Sequence, residues 1–120
     1  MPEARLSIPP DAEHVRMARV VVAAAARRHG LADEQVDDVR LAVGEAVARA
    51  VLRHEAAEQG EQVELLVSDD EAGFSVTISD RVDPAQPDHD GGLALELVRA
   101  LAPVARLDGA VVTLEWPRDR

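Results

Sequence analysis

Glu45 and Arg49 stand four residues apart in the stretch LAVGEAVARAV, so on a helix they share one face, with Leu41 and Arg53 one turn to either side. A carboxylate and a guanidinium held together occur at functional sites, but on a helix surface the pair is ordinarily a solvated ion pair worth about 0.3–0.5 kcal/mol. Asp80 closes the run FSVTISD, and a carboxylate at the end of a strand can accept from an exocyclic amine. Further on, Gly91, Gly92 and Leu93 open a helix-like run. Glycines at a helix start leave backbone N–H groups free to cradle phosphate, although two glycines before a helix are most often a plain turn. The four histidines, His14, His29, His54 and His89, are scattered without spacing for a shared metal, and Asp88-His89-Asp90 reads as a solvated loop, so no metal site is expected. No serine sits in a nucleophile elbow or beside a histidine.

The elements that must position these residues follow from periodicity. Residues 4–8 read as a short strand stopped by Pro9 and Pro10. Asp11 stands where an N-cap belongs, and Val15, Ala18, Val22, Ala25 and Ala26 give helical spacing over 12–29, closed by Gly30. Asp33 is the expected cap of a second helix, whose core face is Val36, Val39, Val43, Val47, Ala50 and Val51 and which runs to about His54. The acidic connector 55–61 leads into alternation at Val63, Leu65 and Val67, a turn over 69–73, and a returning strand through Phe74, Val76 and Ile78. Pro84, Pro87 and several aspartates make 81–91 a loop. Leu93 to Leu101 is helical until Pro103, and 104–107 and 111–116 form a last hairpin about Asp108-Gly109. This order predicts one α+β domain over 1–120, a two-layer sandwich of a mostly antiparallel sheet with helices on one face.

Composition bounds the function. With 120 residues there is room for one domain with its own core. There is no cysteine, which excludes disulfides, thiolate chemistry and Cys-based zinc sites. The net charge of −10 argues against a protein that tracks nucleic-acid phosphates, and every basic residue is arginine. No apolar stretch approaches the roughly 20 residues that cross a bilayer, and no apolar h-region follows a basic cap, so the expected location is the cytoplasm, away from membranes. The acidic runs 33–38, 55–64 and 69–71 read as solvated faces, any of which could dock an Arg-rich partner.

Taken together, Leu41 to Val51, the strand ending Ile78-Ser79-Asp80, and Gly91-Gly92-Leu93 running to Leu101 resemble the small anti-sigma-factor serine kinases of bacteria, members of the GHKL superfamily of histidine-kinase-like ATPases. The likeness extends over almost the whole chain, including Val15-Arg16-Met17-Ala18-Arg19 and the His29-Gly30-Leu31 exit. It implies the Bergerat fold, an ATP site with magnesium between helices and sheet under a lid, and binding of a sigma factor. It also implies phosphorylation of a serine on an anti-sigma antagonist. On this resemblance Glu45 is the general base, Asp80 reads adenine, and Gly91, Gly92 and Leu93 anchor the phosphate lid.

Four positions depart from the family pattern. Arg49 replaces the asparagine that holds magnesium, Val82 replaces a glycine two after the strand aspartate, Asp90 replaces the first of two lid glycines, and Ala110 replaces a threonine in the final hairpin. A guanidinium about 4 Å from a divalent ion costs on the order of 8 kcal/mol at an effective dielectric near 20. Asp90 adds a carboxylate near the phosphates, and Val82 adds bulk where glycine allowed close approach.

The expectation is therefore a regulatory protein with a degenerate nucleotide site, a pseudokinase that acts by binding a sigma factor or an antagonist-like protein, with Arg49 paired to Glu45 in a closed pocket. Arg49 gripping a triphosphate directly, in place of the metal, is a second possibility. The rival reading is a working ATP-dependent serine kinase. A subunit that dimerises, with itself or with an active paralogue, is a third.

Overall fold

Val63, Leu65 and Val67 on one strand and Phe74, Val76 and Ile78 on the next are all buried, while the residues between them are half-buried. This period of two commits one face of the sheet to a core. In the computed structural model, which describes residues 3–88 and 92–118, the strands are β1 (Glu3–Ile8), β2 (Val63–Asp70), β3 (Gly73–Ser79), β4 (Val104–Asp108) and β5 (Val111–Pro117). They form a five-stranded antiparallel sheet in the order β1-β2-β3-β5-β4. Register aligns the inward rows: Leu65 faces Ile78, which faces Val112, and Val67 faces Val76, which faces Leu114.

The helices are α1 (Val15–His29), α2 (Asp33–Ala56) and α3 (Leu93–Leu101), with a 3₁₀ turn at Ala12–His14 leading into α1. The valine face expected on α2 is wholly buried, and α2 packs against both α1 and α3. Alanines 18, 23 and 26 of α1 and 42, 46 and 50 of α2 are buried too, which lets backbones approach closely. The core is aliphatic, with Trp116 and Phe74 as its largest members.

Two local details differ from the sequence reading. Asp11 caps the 3₁₀ turn rather than α1 itself, accepting from the Glu13 N–H at 3.2 Å. Asp33 is the first residue of α2, not its cap; Ala32 holds the cap position in extended conformation, and Gln35 Oε1 accepts the Ala32 N–H at 3.0 Å. Asp33 and Glu34 instead place their charge in the positive first turn.

At the far end of the sheet from the candidate site, His29 closes α1 against β2, β3 and the residue that follows β5. Its Nδ1 bonds Asp69 Oδ1, its Nε2 lies 3.3 Å from Arg118 Nη2, and its ring leans on Phe74 at a centroid distance of 5.7 Å. Phe74 in turn meets Trp116 at 6.4 Å.

Candidate functional site

The middle of α2, the end of β3 and the loop after it converge on one buried cluster of charge. Asp80 follows β3 directly, and its backbone N–H donates to Ala110 O at 3.0 Å, which ties the strand end to the turn of the last hairpin. Its carboxylate is engaged at both oxygens. Oδ1 accepts from the Val82 N–H at 3.0 Å and Oδ2 from Arg53 Nε at 3.1 Å.

Arg53 reaches this point from α2 and spends its other nitrogens on the loop. Nη2 donates to Asp83 O at 2.9 Å, and Nη1 donates to Gln86 O and, at 3.3 Å, to Asp88 Oδ1. One turn earlier, Arg49 Nε donates to the same Asp88 oxygen at 2.9 Å, and Arg49 Nη1 lies 4.0 Å from Asp80 Oδ2. His54 completes the hold, its Nε2 accepting the Arg81 N–H at 3.2 Å. Arg49, Arg53, His54 and Asp80 are all buried. Two guanidinium groups and two carboxylates therefore balance one another out of water, the condition under which buried charge is tolerated.

The expected pairing of Arg49 with Glu45 does not form. The long arginine stem carries the guanidinium toward the sheet end, where buried Asp80 and part-buried Asp88 stand together, whereas half-buried Glu45 offers a single carboxylate. Glu45 is half-buried and has no hydrogen bond or ion pair among the described residues. Gly92 is the N-cap of α3 with φ of +93°, a conformation that suits glycine, and its carbonyl accepts the Glu96 N–H at 3.1 Å. Leu93 is exposed on the first turn of α3. Gly91, with His89 and Asp90, lies outside the described residues. Val82 is buried, filling space that a glycine would leave open.

The structure thus brings Arg49 and Asp80 together and adds three residues that the sequence reading did not assign to the site: Arg53, Asp88 and His54. Arg53 had a signal, since it stands four residues after Arg49 on the same face; Asp88 had none beyond its loop. Away from this cluster, ligand atoms of Asp11, Glu13 and His14 lie within 4.8 Å of one another, a surface group of a kind common without an ion. No helix among the described residues is long and apolar enough to cross a membrane.

Residues 8–116 match the model of the histidine kinase-like ATPase domain family. Among solved structures, the chain is similar to the RsbU and RsbW domains of Rv1364c from Mycobacterium tuberculosis, with a TM-score of 0.75 and 17% identity over 96% of this chain. It spans 31% of that longer chain. At that identity the likeness concerns the fold. No curated protein matches the sequence.

Proposed function

The chain belongs to the histidine kinase-like ATPase domain family, and from that premise we propose that it is an anti-sigma-factor-like regulator that works by binding a protein partner, with nucleotide binding weak or lost. The partner class is a sigma factor or an anti-sigma antagonist-like protein. An RsbW domain within the similar fold supports that class.

One observation carries the reading: Arg53 Nε is seated on Asp80 Oδ2 at 3.1 Å. The resemblance assigns that carboxylate to adenine, yet each of its oxygens already has a donor from within the chain. The donor set around it also does not fit magnesium. Arg49 and Arg53 bring permanent positive charge, and the nearby carboxylates Asp80 and Asp88 are already bound to them. No step through a metal-nucleotide complex is therefore assigned to these residues.

Isothermal titration with Mg-ATP tests the proposal directly. Heat at the level of buffer controls is expected, and a micromolar dissociation constant would sink the idea. Co-purification with a co-encoded sigma factor or small antagonist is the positive counterpart.

The rival reading, a working serine kinase, draws on one observation: Glu45 on α2 makes no ion pair among the described residues and is available as a base. Phosphate transfer to a small antagonist protein, abolished by Glu45→Gln, would establish it.

A further inference from the structure

We propose that Arg49 and Arg53 form an oxyanion-binding site which the protein fills with its own Asp88. The inference rests on the reading above, in which Asp80 is occupied by the chain's own donors, and names what the two arginines recognise.

Two buried cations require two anions, and the two supplied here differ in kind. Asp80 is anchored at the sheet end: its side chain is 2% exposed, and its backbone is tied to Ala110. Asp88 comes from the loop, is 13% exposed, and offers one oxygen to both arginines, at 2.9 Å from Arg49 Nε and 3.3 Å from Arg53 Nη1. Asp80 is the fixed counter-charge, and Asp88 is the removable one. A single oxygen shared by two guanidinium groups is the contact that a phosphate oxygen makes with paired arginines. With the Asp88 charge gone, the pair would face Asp80 alone, leaving one buried cation uncompensated, a state that favours capture of an anion from solution.

The ligand class is a phosphate-type oxyanion bound without metal, either free phosphate or the phosphate tail of a nucleotide. In the native chain the tethered Asp88 competes at an effective concentration on the order of millimolar, so affinity for the external anion is weak.

The test is calorimetric titration of the whole chain in magnesium-free buffer, with inorganic phosphate in one arm and metal-free ATP in the other and adenosine as the control. Asp88→Ala and Asp88→Asn are each compared with the native chain, with folding checked by circular dichroism. Both variants should bind phosphate about tenfold or more tightly than the native chain, and adding Arg49→Gln should abolish the gain. A gain with metal-free ATP but not with phosphate would assign the site to a nucleotide's phosphates and still support the proposal. No gain for either anion in a folded Asp88 variant, or a gain that survives Arg49→Gln, overturns it. Native-chain binding of Mg-ATP would defeat the functional reading but leaves this magnesium-free comparison standing, so the two failures are distinguishable.

Discussion

Arg53 and Asp80 meet across 27 residues of chain, guanidinium to carboxylate at 3.1 Å, with side chains only 3% and 2% exposed. Removing one member of such a pair strands the other charge in a low-dielectric interior. Arg53→Ala also frees the carbonyls of Asp83 and Gln86. A loss of about 3–5 kcal/mol is expected, read as a lower urea midpoint with faster proteolysis within residues 81–88. A change below about 1 kcal/mol would show that water already screens the pair.

Arg49→Asn puts at that position the amide that the resemblance to the anti-sigma-factor kinases implies. By itself it is expected to leave Mg-ATP binding undetectable by calorimetry, because Arg53 still occupies Asp80. Arg49→Asn combined with Arg53→Met should bind more tightly than either single variant. If Arg49→Asn alone brings micromolar affinity, Arg49 was the sole obstacle.

His29 bonds Asp69, contacts Arg118 and packs on Phe74, joining the end of α1 to the sheet. Its side chain is 2% exposed, so His29→Ala opens a small void and leaves Asp69 with only the longer contact to Arg118 Nη2, at 3.9 Å. A cost of about 1–3 kcal/mol is expected from equilibrium unfolding. A wild-type midpoint would mean that the contact contributes nothing net.

Two glycines should respond differently to alanine. Gly73 has φ of +149°, and a Cβ there would lie 2.5 Å from Trp116 O and 2.8 Å from Pro117 Cα. Gly73→Ala should cost about 1–3 kcal/mol through backbone strain. At Gly44 a Cβ would meet Arg19 Nε at 2.2 Å, but Arg19 is an exposed, flexible side chain that can swing aside. The gain in helix propensity, about 1 kcal/mol, offsets that shift, so Gly44→Ala should fall within about 1 kcal/mol of wild type. Thermal unfolding of both variants checks the contrast, and equal losses would contradict it.

The order of strands and helices was legible because burial imposes a period on the sequence. Valines at 36, 39, 43, 47 and 51 have to face one way on a helix, and Val63, Leu65 and Val67 one way on a strand. The charge at Arg49 was legible too, since a guanidinium is cationic wherever the side chain points. Those features belong to single residues and their near neighbours.

The partners of the arginines were settled only in three dimensions. Spacing offered Glu45 to Arg49, four residues away, but the carboxylates that hold it, buried Asp80 and part-buried Asp88, lie 31 and 39 residues further along. Desolvation decides which charges pair, and it depends on which elements close over them, here α2, the end of β3 and the loop that follows. The chain's local pattern determined the order of its elements and placed a permanent cation at position 49. Tertiary packing alone decided that Arg53 takes Asp80 and that a loop aspartate supplies the second counter-charge.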